Sequence, residues 1–158
     1  MVEAAGERPT PESLVTKDGS VTADATKCEP AVGLDRVLIV DDHASFRLIA
    51  REVLAADGFL VVGEAGEGAE AIRACGVLRP DIVLLDIQLP DLDGFAVATM
   101  LVSLIDAPAV VLVSSRSRTD YGSRIEDCGA HGYIAKAKLS GDAIRRLLLA
   151  NRAPPRGP

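Results

Sequence analysis

The chain has 158 residues, enough for one globular domain with a sizeable core and a tail, and hardly enough for two. Its hydrophobic share of 48% and charged share of 25% are those of an ordinary soluble domain, but it has no Trp and only 3% aromatics, so Val, Leu, Ile and Ala must supply the core. A formal charge of −6 argues against a broad nucleic-acid footprint, no apolar run is long enough to span a membrane, and the N-terminus lacks the apolar stretch of a secretory signal.

Residues 1–35 hold seven acids and three bases among Thr, Ser, Ala and Pro, with neither a helical nor a strand period. A disordered leader is expected there, a short helix or a misassigned start codon being the alternatives. From Arg36 the pattern becomes regular. Five short aliphatic runs, Arg36–Val40, Phe59–Val62, Ile82–Leu85, Ala109–Val113 and Gly132–Ala135, alternate with helical patterns. The first, third and fourth are apolar throughout, as strands buried on both faces of a parallel sheet must be. A helix is predicted over Ala44–Asp57, with Phe46, Ile49, Val53 and Leu54 on one face and Gly58 as its stop. Others are predicted over Gly68–Leu78, Gly94–Ile105 and Thr119–Cys128, and a last one is capped by Ser140 with Ile144, Leu147 and Leu148 along one side. Residues 36–151 thus form one βα-repeat domain, and 152–158 a short Pro/Gly-rich tail. Cys28, Cys75 and Cys128 are neither an even disulfide set nor spaced for a metal, so reduced cytoplasmic thiols are expected.

Five βα units imply right-handed crossovers, a parallel sheet and function at the C-terminal ends of the strands. Those ends carry Asp41-Asp42, Asp86, Ser114 and Lys136. Any one alone would serve as a helix cap or face water. Together they crowd three carboxylates that repel one another, and a hard cation with oxygen ligands would hold them. Mg²⁺ suits a site that keeps waters and awaits a phosphate. With Lys136 as fixed charge and Ser114 as donor, the rim is a cradle for a phosphoryl group.

Asp41-Asp42, the segment from Leu84 through Asp86 to Gly94, Ser114 after its strand, and Gly132-Tyr-Ile-Ala-Lys136 resemble the receiver domain of two-component response regulators. The resemblance implies a flavodoxin-like (βα)5 fold, a doubly wound five-stranded parallel sheet in three α/β/α layers. It implies Asp86 as phosphoacceptor, and Asp41, Asp42, Asp86 and the main-chain carbonyl of Gln88 as Mg²⁺ ligands. Ser114 would be the switch hydroxyl, Lys136 the base pairing with the phosphoryl group, and Tyr133 the switch aromatic; from spacing alone Tyr133 serves equally as a core-edge aromatic. The partners implied are a sensor histidine kinase or phosphotransfer protein, and a downstream effector or second copy on the face of the fourth helix, fifth strand and fifth helix.

Ala137 stands where the family often has Pro, a departure shared with the LuxR-type subgroup, which Val40-Asp-Asp-His43 and Phe46-Arg47 also resemble. Only seven residues follow Asn151, too few for a helix-turn-helix, so no DNA-binding module is expected. His43 is expected at a polar helix start rather than on a metal, and His131 in a loop. Gln88 and Arg116, each two residues beyond a site residue, are expected to flank the path of hydrolytic water. A phosphorylation-independent receiver-like scaffold is the alternative function. Asp91-Leu-Asp93-Gly94 also spells the DxDG of haloacid-dehalogenase-like phosphatases, although that motif should follow a buried strand directly.

Overall fold

The structure is a computed structural model that describes residues 35–151; the expected leader and the tail after residue 151 lie outside the described residues. Five parallel strands, β1 (Arg36–Val40), β2 (Leu60–Ala65), β3 (Ile82–Asp86), β4 (Ala109–Ser114) and β5 (Gly132–Ala135), form one sheet in the order β2-β1-β3-β4-β5. The helices are α1 (Ala44–Ala56), α2 (Gly68–Leu78), α3 (Gly94–Val102), α4 (Arg124–Asp127) and α5 (Gly141–Ala150). This is the flavodoxin-like order, whose chain reverses direction between β1 and β3 and opens a crevice there.

Side-chain alternation along the strands sorts the core into two halves. Val37 and Ile39 face Ala50 and Leu54 of α1 and Ile144 of α5. Leu38 and Val40 face Ala71 and Cys75 of α2, Val97 and Leu101 of α3, and Ile125 of α4. Leu38, Ile39, Leu84, Leu85 and Leu112 are fully buried, and this aliphatic slab replaces the missing aromatics.

Three boundaries differ from the expected ones. The second strand begins a residue later than Phe59–Val62 and runs on to Ala65, because Gly63, Glu64 and Ala65 pair with Leu38, Ile39 and Val40 after a register slip. Phe59 is a buried core residue beside the strand, under the Arg145 guanidinium. The helix after Gly94 stops at Val102 rather than Ile105; Ser103 turns its hydroxyl back onto the Thr99 carbonyl, and Ile105 is exposed. The helix expected over Thr119–Cys128 is broken. A 3-10 turn at Arg118–Asp120, closed by a reciprocal Ser117–Asp120 capping box, is cut off by Gly122 at φ +57°, and only Arg124–Asp127 is α-helical.

Candidate functional site

Strand register builds the site. Val40 pairs with Leu85, which sets the next residues, Asp41 and Asp86, level with each other across the β1–β3 switch point. On the other side Ser114 pairs with Ala135, so Lys136 follows beside it. Asp41, Asp86 and Ser114 are the only buried polar residues among the described residues, and all three stand on this rim. Burying polar groups without purpose is costly, so three in one place mark it as a site.

Lys136 Nζ lies 2.6 Å from Asp41 Oδ2 and 3.4 Å from Asp86 Oδ2, over the Phe46 ring of α1. Asp41 Oδ2 has that ammonium as its charge partner but receives no directed hydrogen bond, whereas Oδ1 accepts the His43 backbone N–H at 2.8 Å. Asp42 is partly exposed at the mouth, where His43 Nδ1 sits 3.0 Å from its Oδ1 and 3.2 Å from Asp41 Oδ1. Oxygens of Asp41, Asp42 and Asp86 and the His43 ring nitrogen all lie within 4.8 Å of one another. Burial, then the Asp41 charge, push the Asp86 carboxyl up to about 6 against the pull of Lys136 and the Gln88 N–H. Burial draws the Lys136 ammonium down, but Asp41 and Asp86 outweigh it and hold Lys136 above the usual lysine value, firmly charged. Behind the acidic pair, Arg47 donates to the Asp41 carbonyl at 2.6 Å and to Glu64 at 3.0 Å.

The loop after Asp86 is folded tightly against it. The Gln88 N–H donates to Asp86 Oδ1 at 3.2 Å, and Gln88 bridges Asp93 in antiparallel fashion. Gly94 closes the loop: a Cβ there would lie 2.6 Å from the Asp86 carbonyl oxygen and from Ile87 Cα, so no other residue fits without moving backbone. Both acids of the DxDG string are helix caps. Asp91 accepts the Ala69 and Gly68 N–H groups at the start of α2, which hold its carboxyl below the usual range. Asp93 accepts the Phe95 N–H at the start of α3 and pairs with Arg124 at 2.5 Å. The phosphatase alternative therefore loses its nucleophile to helix termini.

Tyr133 donates its hydroxyl to the Arg116 carbonyl and approaches the Ser114 carbonyl at 3.4 Å. The Ser114 side chain meets a different residue. Its Oγ accepts the Arg116 N–H at 3.1 Å and lies 2.6 Å from the Tyr121 hydroxyl. Tyr121 packs edge-on against Phe95, with ring centroids 5.6 Å apart, and stands 6.3 Å from Tyr133. Sequence reasoning missed Tyr121, as it missed the parts played by Phe46 and Arg47. The one available signal was that Tyr121 is one of only two tyrosines in the chain.

The chain is thus a flavodoxin-like domain whose switch point holds buried carboxylates facing a lysine. Residues 37–147 match the response regulator receiver domain, and the chain belongs to that family: it is a receiver domain of two-component response regulators. It is 37% identical over 130 residues to the transcriptional regulatory protein PdtaR of Mycobacterium tuberculosis, covering 82% of this chain and 62% of that one. It is 32% identical over 115 residues to the response regulator GacA of Pseudomonas viridiflava, covering 72% of this chain and 54% of that one. The chain thus spans less than two thirds of the length of these curated relatives. Among solved structures it resembles the signal receiver domain of NarL from Mycobacterium tuberculosis, at TM-score 0.67 and 30% identity over 75% of this chain and 98% of that one. It also resembles a LuxR-family two-component response regulator from an Aurantimonas species, at TM-score 0.65 and 26% identity over 75% of this chain and 87% of that one. Among the described residues, no helix is long and apolar enough to cross a membrane.

Proposed function

We propose that Asp86 accepts a phosphoryl group from the phosphohistidine of a sensor histidine kinase or phosphotransfer protein, and that the modification switches a protein-interaction face. The observation that carries this is the buried Asp86 carboxylate, 3.4 Å from a lysine ammonium at the sheet's switch point. In the reaction an Asp86 oxygen attacks phosphorus in line. The new O–P bond forms as the N–P bond breaks, and the departing imidazole nitrogen keeps the electron pair and takes up a proton. Water later cleaves the acyl phosphate to inorganic phosphate and the free carboxylate.

The residues fit a hard divalent cation. Asp41 Oδ2 is buried and lacks a directed hydrogen bond, and three carboxylates converge with one ammonium beside two of them. Asp41, Asp42, Asp86 and the Gln88 main-chain carbonyl would hold Mg²⁺, which supplies charge neutralisation for the transferring group. Lys136 supplies the second positive charge, and Ser114 a hydroxyl for a phosphoryl oxygen. Tyr133, tied to the Arg116 carbonyl, would follow when the loop after β4 moves. The readout would be the α4-β5-α5 face, where Leu149 of α5 stands exposed, through an effector or a second copy of the chain.

The test is incubation with Mg²⁺ and a small phosphodonor. An acid-stable, base-labile phosphoprotein that Asp86→Ala does not form is the expected result. Absence of the phosphoprotein in the unaltered chain overturns the reading in favour of a phosphorylation-independent scaffold; phosphorylation that persists in Asp86→Ala assigns the acceptor elsewhere.

A further inference from the structure

We infer that Tyr121 is a positioning residue for the phosphoryl-transfer site: its phenol is the resting partner of the Ser114 hydroxyl, and the phosphoryl group must win that hydroxyl from it. The inference rests on Asp86 being the phosphoacceptor and assigns a competitor to its switch hydroxyl.

The hydroxyl of Ser114 is buried and carries one donor hydrogen and two acceptor lone pairs. The Arg116 N–H takes one lone pair at 3.1 Å, and the Tyr121 hydroxyl, at 2.6 Å and with either oxygen able to donate, engages a second of the three positions. Tyr133 does not compete for this side chain. Its phenol is bound to the Arg116 carbonyl, and its approach to Ser114 is to the main chain. The two tyrosines thus divide Ser114, one holding the side chain and the other lying along the backbone.

Tyr121 is itself fixed. Its N–H closes the 3-10 turn on the Arg118 carbonyl, and that turn is locked by the Ser117–Asp120 capping box. Its ring rests edge-on against Phe95, in the first turn of α3 just after the Asp86 loop. Arg124 in turn lies 4.2 Å above the Phe95 ring and pairs with Asp93. A phenol braced in this way does not follow a serine that swings toward Asp86. The contact is either kept or exchanged, and a hydrogen bond lost on activation shifts the equilibrium toward the resting form.

The variant is Tyr121→Phe in the full chain, which keeps the ring against Phe95 and removes only the hydroxyl. The probe is beryllofluoride with Mg²⁺, a phosphoryl mimic that binds without covalent chemistry, followed by calorimetry. Tyr121→Phe should tighten binding about three- to tenfold, the range of one net hydrogen bond. In a Ser114→Ala background the same substitution should change nothing, which a merely structural role for the ring would not predict. Unchanged or weaker binding by a folded Tyr121→Phe protein overturns the inference, as does a gain that persists without Ser114. A second readout is independent of affinity. With no Trp and only two tyrosines in the chain, Tyr133→Phe leaves Tyr121 as the sole tyrosine fluorophore. Its emission should change on adding beryllofluoride and stay constant in the Ser114→Ala double variant; constant emission in Tyr133→Phe alone counts against the exchange. If the unaltered chain binds no beryllofluoride, the phosphoacceptor reading itself falls, and this inference with it; binding by the unaltered chain with no response at Tyr121 refutes the inference alone.

Discussion

Replacing Asp86 by Asn should stabilise the metal-free protein. The carboxyl is buried at 3% exposure and faces a second buried acid, so its pKa rises from an ordinary 3.8 to about 6. At pH 7.5 folding therefore carries an already ionised carboxylate into a site that disfavours its charge. A shift of about two units corresponds to roughly 3 kcal/mol at 1.36 kcal/mol per unit. Asn is isosteric with the protonated acid and still accepts the Gln88 N–H, while Lys136 keeps its closer partner, Asp41. The variant should thus gain about 1–3 kcal/mol in denaturant unfolding at pH 7.5 without metal. The sign follows from proton binding. Between the unfolded and folded pKa values the native state holds the extra proton, so Asp86 contributes stability that is complete below about pH 4 and lost as pH rises through about 6. The two proteins should therefore converge in acid and part near neutrality. Mg²⁺ should narrow the gap, because it stabilises the unaltered chain and has lost a charged ligand in the variant. An Asp86→Asn protein that is less stable than the unaltered chain at pH 7.5 would refute the electrostatic account.

Lys136→Met leaves Asp41 and Asp86 buried without their cation, and should cost about 3 kcal/mol in metal-free unfolding at pH 7.5, with a smaller loss at pH 5, where Asp86 takes up a proton. Gly94→Ala places a methyl group 2.6 Å from the Asp86 carbonyl oxygen; a loss of about 1–3 kcal/mol by thermal or denaturant unfolding is expected, together with slower phosphorylation as the loop shifts. Arg116→Ala removes an exposed cationic side chain beside Ser114 while leaving its backbone bonds in place, and should speed loss of phosphate from the phosphorylated chain severalfold in a single-turnover assay. An unchanged rate would show that its bulk and charge do not screen the acyl phosphate.

The sheet was legible because its inner strands are buried on both faces, which leaves uninterrupted runs such as Val37–Val40 and Ile82–Leu85. Edge strand β2 was misplaced because its half-exposed residues carry no such run, and its upper half, Gly63-Glu64-Ala65, is strand only through pairing with β1. The fourth helical segment failed for a local reason, since the Ser117–Asp120 box and Gly122 both favour a turn that a weak apolar period could not reveal. The acids and the lysine at the rim could be located because parallel topology alone sends strand ends to one side. The contacts of Tyr121, Phe46 and Arg47 could not, because each reaches the site from an adjoining helix or turn, and rotamer and crossing geometry are not written in a period.

Two resting contacts then set the threshold of the proposed switch, and they differ in kind. Lys136 stands closer to Asp41 than to Asp86, so the ammonium proposed to pair with the phosphoryl group is held by Asp41, through charge. Ser114 is held by Tyr121, through a neutral hydrogen bond. Neutralising Asp41 with a bound cation weakens the first hold and leaves the second untouched. The two should therefore separate in a titration. Across a Mg²⁺ series, the ratio of beryllofluoride affinities between Tyr121→Phe and the unaltered chain should stay constant while both rise together. A ratio that climbs with Mg²⁺ would mean that the tyrosine acts through the acidic pair, and that the rim has one latch rather than two.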